Sequence, residues 1–163
     1  MILRYTDWPK GASSQMDTNA HSLSEEEFWS IYRKVPRLTV EIVIASGEGI
    51  YLTLRRMEPC KGLWHLPGGT VRFGERLIEA VRRIARRELG IEVELAEMKG
   101  YIEYPSHYLS GLDCPVGIAF VVKLYAGTIA PDEEASQGGW FTEMPENMHE
   151  EQKAFLRELQ ACR

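Results

Sequence analysis

Apolar and polar side chains alternate over several stretches of the chain, and a period of two residues is typical of half-buried β-strands. Residues 38–44 alternate in this way, and residues 51–56 follow after a turn at residues 46–49, so the pattern predicts a β-hairpin. Later stretches predict further strands over residues 91–103, 117–127 and 138–142. The chain is therefore expected to contain a β-sheet.

Other stretches show the spacing of three and four residues that is typical of amphipathic helices. Ser24 followed by Glu27 is a capping-box pattern and predicts the start of a short helix. A second helix is predicted from Glu75 to Leu89, because Gly90 suits the left-handed position that ends a helix. A closing helix is predicted from Pro145 onward.

The predicted strands fall into two groups, one on each side of the second helix, and a helix lies at each end of the predicted domain. This order favours an α/β fold of the α+β kind, in which helices cover a mixed sheet as an α/β/α sandwich. A length of 163 residues fits one domain. Residues 1–22 lack any periodic pattern and predict a flexible N-terminal arm, so the domain is expected to span residues 23–163.

Composition narrows the classes of protein that fit this chain. Apolar runs fall far short of the roughly 20 residues that a membrane helix needs, so no membrane partner is expected. The N-terminus lacks the apolar region of a secretory signal, and the cysteines at 60, 114 and 162 form neither an even disulfide framework nor a CxxC pair. A cytoplasmic location is therefore expected.

Charge is acidic overall but basic in one segment. The formal net charge of −5 argues against a nucleic-acid partner, because phosphate backbones attract basic surfaces. From Thr70 to Gly90, however, six arginines stand against three glutamates. This segment is either a solvated helix face with pairs such as Glu79 and Arg83, or a surface that binds an anion.

The same segment contains a spaced motif. Gly69, Glu75, Arg83 and the run Glu88-Leu89-Gly90-Ile91 stand in register with the pattern G-x5-E-x7-R-E-U-x-E-E-x-G-U, where U is aliphatic. The segment thus resembles the Nudix box. This resemblance implies a Nudix-type α/β/α sandwich and an enzyme that uses divalent cations to hydrolyse nucleoside diphosphate compounds.

Two positions depart from the box. Its carboxylates at positions 84 and 87 are replaced by Ile84 and Arg87, and Glu88 remains. Positions 84, 87 and 88 share one helix face, so a face with a charge of −3 in the full box has a net charge of 0 here. One magnesium ion at Glu88 fits this face, but a cluster of cations does not.

Outside the box, residues 22–160 are similar to the GDP-mannose mannosyl hydrolase subgroup, which also lacks the earlier box glutamates. The resemblance implies one Mg²⁺ ion, with Mn²⁺ as an alternative, and a homodimer. It also implies that water attacks the anomeric carbon of a nucleotide sugar such as GDP-mannose, with the nucleoside diphosphate as leaving group. The implied metal ligands are a backbone carbonyl of Gly68 or Gly69 and the side chains of Glu88 and Glu134.

Arginines are candidates to bind the diphosphate, since a guanidinium pairs well with phosphate oxygens. The candidates are Arg56, Arg83 and Arg87, although Arg83 is equally well explained as a brace to Glu75. Glu41 matches a substrate-contacting position of the subgroup, and a solvent-facing place on its strand is the alternative.

The chain departs from the subgroup at the general base. Ala135 stands where the subgroup has its histidine, so His107 is the predicted substitute, and Glu133 or Glu134 are alternatives. Ile118 replaces a substrate-contacting tyrosine, which leaves the sugar open. Two other functions remain as hypotheses: cleavage of a P–O bond in a nucleoside diphosphate compound, and binding of a nucleotide without catalysis.

Overall fold

The fold was analysed in a computed structural model, which describes residues 23–130 and 135–161. The predicted N-terminal arm and the predicted metal ligand Glu134 lie outside these residues. The described elements are, in chain order, α1 (Glu25–Tyr32), β1 (Arg37–Val43), β2 (Ala45–Ser46), β3 (Gly49–Arg55), β4 (Trp64–His65), β5 (Gly68–Thr70), α2 (Leu77–Leu89), β6 (Glu92–Glu103), α3 (Pro105–Leu109), β7 (Pro115–Ala126), β8 (Ala135–Phe141) and α4 (Glu150–Ala161).

Two predicted helix boundaries are confirmed. The Ser24 hydroxyl accepts a hydrogen bond from the Glu27 amide, and the Glu27 carboxylate accepts one from the Ser24 amide. These two bonds are the predicted capping box at the start of α1. Gly90 ends α2 in the left-handed conformation with φ of 68°. The closing helix begins at Glu150, later than Pro145, because residues 147 and 148 bind the edge of β4 instead.

The strands form two sheets. The first has the order β5-β1-β7-β6, in which β1 and β7 are parallel and the other pairs are antiparallel. In the second sheet β3 is paired with β2, β4 and β8. The mixed first sheet agrees with the predicted α/β fold class.

The predicted hairpin between residues 38–44 and 51–56 is right at its turn and wrong along β1. Residues 46–49 do join two antiparallel strands, but these strands are β2 and β3. Both edges of β1 are occupied, by β5 on one side and β7 on the other, so β3 cannot pair along it. The two stretches meet at a single backbone bond from the Tyr51 amide to the Ile44 carbonyl, and β3 joins the second sheet. Alternation identified the strands but could not identify their neighbours.

Helices pack on both faces of the first sheet. Val40 and Ile42 of β1 lie in an apolar cluster with the buried side of α2, whereas Val43 lies in a second cluster with Leu156 of α4. Alternate residues of a strand point to opposite faces, so the two clusters lie on opposite sides of β1. This is the predicted α/β/α sandwich.

Two further elements lie near the spaced motif of the box and after β6. Gly68 and Gly69 belong to β5 and pair with Glu41 and Val40. The polar stretch at residue 105 forms the short helix α3, with Pro105 at its first turn, where a missing N–H costs nothing. Both elements contribute residues to the cleft described below.

Candidate active site

A cleft of about 800 Å³ lies along β5 and the exposed side of α2. Elements distant in sequence form its wall, including α1, β1, β3, α3 and the start of α4. Seven of the predicted site residues lie on this wall: Glu41, Gly68, Gly69, Arg83, Arg87, Glu88 and His107.

Arg56 does not lie on the described wall of the cleft. It follows β3 and is exposed, whereas its neighbour Arg55 lines the cleft. The Nε atom of Arg55 donates to the carbonyls of Met57 and Pro59, at 3.1 and 2.5 Å, so this side chain fixes the loop that follows β3. A substrate-binding role for Arg56 remains a prediction from the sequence.

Arg83 is bound by the loop that precedes α2. Its Nε and one terminal nitrogen donate to the two oxygens of Glu75, at 2.6 and 2.8 Å, and the same terminal nitrogen donates to the Thr70 carbonyl at 3.0 Å. Burial would raise the pKa of Glu75, but the bonds and charge of Arg83, together with the bond from the Arg72 amide, outweigh burial, so the pKa is lowered. This geometry is the brace that the sequence offered as an alternative for Arg83.

The substituted positions of the box have different surroundings. Ile84 is fully buried and packs against Gly69, with a Cβ at Gly69 calculated to lie 3.2 Å from its Cδ1. Arg87 is half exposed at the cleft and donates to Oε1 of Glu88 at 2.6 Å. The apolar residue thus extends the core, while the cation and the acid face the cleft.

Glu88 faces the glycine strand. Its side chain is largely buried, and its Oε2 accepts a hydrogen bond from the Gly68 amide at 3.2 Å. The carbonyl and amide of one residue in an antiparallel strand point to the same side, so the Gly68 carbonyl is directed to the side of Glu88. The Glu88 carboxylate and this carbonyl form an oxygen-only set of donors.

Glu41 is buried in the cleft wall, so its solvent-facing alternative is wrong. Its Oε1 accepts from the Thr39 hydroxyl at 2.9 Å, and its Oε2 accepts from Gln152 at 3.2 Å. Burial raises the pKa of Glu41 to about 7, against the opposing effects of the Thr39 and Tyr104 hydroxyls and of the charge of Arg37. A Cβ at Gly68 would lie 2.3 Å from its Oε2, so only glycine fits beside it.

Gln152 connects the acidic end of the cleft to an aromatic residue. Its Nε2 also donates to the Tyr104 hydroxyl at 3.0 Å, and its Oε1 accepts from the Leu66 amide at 2.7 Å. The Tyr104 ring packs edge-on against His107 and His149, with centroids 5.6 and 5.1 Å apart. The network fixes α4 relative to β1 and leads to a second group of polar side chains.

This second group consists of Cys60, His107 and His149, which all line the cleft. The Nε2 atom of His107 lies 3.7 Å from the Cys60 sulfur and 3.3 Å from Nε2 of His149. The three residues come from the loop after β3, from α3 and from the residue before α4. Their chain separations explain why no local motif signalled the cluster.

A carboxylate lies beside the Nδ1 atom of each of the two histidines. The Nδ1 atom of His107 lies 2.8 Å from Oδ1 of Asp113, whose other oxygen accepts from Arg37 at 2.6 Å. The Nδ1 atom of His149 lies 3.0 Å from Oε2 of Glu151, but the two atoms are not aligned for a hydrogen bond, and neither has one with the described residues.

Electrostatic interactions within the cluster favour the charged forms of Cys60 and His107. Hydrogen bonds from His107 and His149 lower the pKa of the Cys60 thiol to about 6. The hydrogen bond to Asp113, followed by the contact with Cys60, raises the pKa of His107 to about 9. The neutral form that a general base requires is therefore the minor form of His107 at neutral pH, and its predicted role as base stays a prediction.

Several residues of the cleft were not singled out from the sequence. They are Cys60, Tyr104, Asp113, His149, Glu151 and Gln152. The rarity of cysteine and histidine was a signal for two of them, but only the fold brings them within reach of His107. Within the described residues, no helix is long and apolar enough to cross a bilayer.

Comparison with known proteins gives relatives in one family. The family model for the NUDIX domain matches residues 35–159. The low-salt glycan biosynthesis protein Agl8 of Haloferax volcanii is 31% identical over 150 residues, covering 90% of this chain and 96% of the relative. An ADP-ribose pyrophosphatase of Methanocaldococcus jannaschii is 28% identical over 106 residues, covering 65% of this chain and 62% of the relative.

Solved structures agree with this result. A MutT Nudix hydrolase from Burkholderia pseudomallei has a TM-score of 0.71 at 25% identity, over 77% of this chain and 98% of its own. The Nudix domain of NrtR from Shewanella oneidensis, solved with ADP ribose, shares the fold with a TM-score of 0.63 at 18% identity, over 86% of this chain and 100% of its own. The matched family model covers well over half of the chain, so the predicted membership is confirmed and the chain belongs to the Nudix hydrolase family.

Proposed function

We propose that this protein hydrolyses a nucleoside diphosphate sugar, similar to GDP-mannose, and that water attacks the anomeric carbon. The nucleoside diphosphate then leaves intact, because the broken bond joins carbon to oxygen. The observation that supports this proposal most directly is the composition of the α2 face at the cleft. Glu88 and Arg87 lie there side by side, while Ile84 is buried in the core.

The charge of the α2 face distinguishes attack at phosphorus from attack at carbon. Attack at phosphorus benefits from several cations, which neutralise the reacting phosphoryl group and activate water. Departure of a diphosphate from carbon needs stabilisation of the leaving group alone, for which one cation and an arginine are suited. The α2 face offers one acid and one arginine, and so favours the second reaction.

The cation that the family implies is one Mg²⁺ ion, with Mn²⁺ as the alternative. Magnesium binds oxygen ligands, often one or two carboxylates together with substrate phosphates and water. The Glu88 carboxylate and the Gly68 carbonyl fit this preference, and Gly69 and Glu134 are the other proposed ligands. When bound, the ion would neutralise diphosphate charge. The chain itself would supply Arg87 as a second contact for the diphosphate and Glu41 as a contact for the sugar.

Arg83 has a supporting part in this proposal. Its guanidinium is held by Glu75 and Thr70, so it positions the loop before α2. A direct contact of Arg83 with the diphosphate would require a donor that these bonds leave available. We therefore assign the diphosphate contact to Arg87 first.

The relatives support a nucleotide sugar in general terms. Agl8 is named for glycan biosynthesis, a process that consumes activated sugars, and the NrtR domain was solved with ADP ribose. The second relative is named a pyrophosphatase, which favours P–O cleavage as the second candidate function. The proposed homodimer is checked by measuring the mass of the full chain in solution.

The products distinguish the two candidates. The full chain is incubated with GDP-mannose or GDP-glucose and Mg²⁺ in water enriched in oxygen-18. C–O cleavage gives GDP and a free sugar that contains the label, whereas P–O cleavage gives GMP and a sugar phosphate, with the label in a phosphate group. Label in phosphate contradicts the proposal. Binding of these nucleotides without turnover would instead identify a domain that binds and does not cleave.

A further inference from the structure

We propose that Cys60, His107 and His149 form a second metal site, which binds a divalent transition ion of the zinc class and leaves one coordination position open to the cleft. The site is separate from the oxygen ligands proposed for magnesium and does not depend on the proposed reaction. It would place a Lewis acid on the same cleft wall as Tyr104 and His65.

The distances from Nε2 of His107 to the other two donor atoms match those around a tetrahedral ion. Zinc lies about 2.3 Å from a thiolate sulfur and about 2.0–2.1 Å from an imidazole nitrogen. Two nitrogens of one tetrahedron are then about 3.3 Å apart, and a sulfur and a nitrogen about 3.6 Å apart. The observed distances are 3.3 Å between the two Nε2 atoms and 3.7 Å from the Cys60 sulfur to Nε2 of His107. All three donors lie within 4.8 Å of one another.

Each histidine of the cluster has a carboxylate beside its Nδ1 atom, which is the usual surrounding of a metal-bound histidine. A histidine that binds a metal through Nε2 has its hydrogen on Nδ1, and this hydrogen usually bonds to a carboxylate. Asp113 lies 2.8 Å from Nδ1 of His107, and Arg37 fixes Asp113. Oε2 of Glu151 lies 3.0 Å from Nδ1 of His149, and neither of these buried atoms has a hydrogen bond with the described residues.

When both histidines are neutral, with the hydrogen on Nδ1, both Nε2 atoms present lone pairs to each other and to the sulfur. Three electron-rich atoms at these distances repel one another unless a cation lies between them. A proton shared among them is the alternative to a metal, and would give an imidazolium–thiolate pair of Cys60 and His107. The two cases make opposite predictions for metal uptake.

The donor atoms also determine the class of metal. A thiolate and two imidazoles select zinc and similar transition ions, whereas magnesium and calcium prefer oxygen. Three protein ligands with a fourth position open are the usual arrangement of a zinc ion that contacts water or substrate. Because all three residues line the cleft, an oxygen of a bound nucleotide sugar or a water molecule is the expected fourth ligand.

Cys60 is held in place without a metal. The loop after β3 is fixed by Arg55, which binds the carbonyls of Met57 and Pro59 directly before the cysteine. The Cys60 backbone has φ of 70°, a conformation uncommon for residues other than glycine. Strained backbone conformations are retained mainly at functional sites, so this conformation supports a functional role for Cys60.

The test is a titration of the full chain, freed of metal by a chelator under a reductant, with Co²⁺ as a spectroscopic substitute for Zn²⁺. We expect one equivalent to bind and to produce a cobalt–thiolate charge-transfer band. Cys60→Ser should abolish the band, and His149→Gln should weaken binding at least about 10-fold. Cys114→Ser is the matched thiol control and should retain the band, as should Glu88→Gln.

A second measurement is independent of the spectrum. Zn²⁺ at a hundredfold excess over its Kd should raise the Tm of the wild type by about 5 °C or more and leave that of Cys60→Ser unchanged. Asp113→Asn should weaken Co²⁺ binding about 10–100-fold while the band persists at saturation. If the wild type shows no thiolate band and no Zn²⁺-dependent shift, the site is an imidazolium–thiolate pair and the proposal is overturned. A band that persists in Cys60→Ser overturns it as well.

Discussion

Ile84 of α2 packs directly against Gly69 of β5, where a Cβ on the glycine would lie only 3.2 Å from Cδ1 of the isoleucine. The full Nudix box has a carboxylate at this position. Here the position belongs to the core between α2 and β1, and its side chain is fully buried. The substitution therefore changes packing as well as charge.

Ile84→Glu, which restores the acid of the box, should destabilise the protein. A carboxylate at this buried position lacks water and should cost about 2–5 kcal/mol in the free energy of unfolding. Ile84→Leu keeps the site apolar and should cost less than about 1.5 kcal/mol. Urea denaturation measures both. A stable Ile84→Glu variant would show that the new side chain reaches the cleft.

Gly68→Ala should destabilise the glycine strand and lower activity together. The added Cβ would lie 2.3 Å from Oε2 of Glu41 and 2.7 Å from the Val40 carbonyl, so β5 must move away from β1. Gly47→Ala is the control, because nothing lies within 4 Å of a Cβ there. Thermal unfolding should separate the two variants, and equal Tm values would contradict the close approach of β5 to Glu41.

Arg83→Ala should lower the free energy of unfolding by about 1–3 kcal/mol, because it leaves the partly buried Glu75 carboxylate without its cation. Arg86→Ala is the control and should have no measurable effect, since its pair with Glu92 is exposed. Glu75→Gln tests the same brace from the other side. If Arg83 only positions the loop, both variants should lose stability to a similar extent.

The brace also predicts a dependence on pH. The pKa of Glu75 in the folded protein is lowered from 4.5, so its ionised form stabilises the fold at pH values above 4.5. This stabilisation is lost as the pH falls through the lowered pKa. The difference in unfolding free energy between the wild type and Arg83→Ala should therefore be constant near neutral pH and shrink below about pH 4.5. A difference that grows in acid would contradict the assignment.

Glu88→Gln should abolish the Mg²⁺-dependent activity and leave the fold intact. The amide oxygen of glutamine can still accept from the Gly68 amide, but the charge that attracts a hard cation is gone. Glu92→Gln is the matched control, since this exposed residue lies outside the described wall of the cleft. Product formation is measured against Mg²⁺ concentration. Full activity of Glu88→Gln would place the metal elsewhere.

Much of the scaffold could be predicted because the deciding signals are local. The capping box at Ser24, the left-handed Gly90 and the spacing of Gly69, Glu75, Arg83 and Glu88 are properties of short segments. Such signals depend on backbone conformation and on the geometry of one helix. They do not reveal which strands become neighbours, so the predicted hairpin was right at its turn but wrong in pairing β3 along β1.

The sequence by itself determined the family, the sandwich of helices on a mixed sheet and the single acid left on the face of α2. The tertiary structure alone decided that Glu41 is buried and that Cys60, His107 and His149 meet, and it selected the brace to Glu75 from the two roles that the sequence offered for Arg83. Local signals fix a residue's place within its own element, because the periods of helix and strand are short. Contacts between residues 42 or more positions apart depend on how the elements pack, and no short segment encodes that.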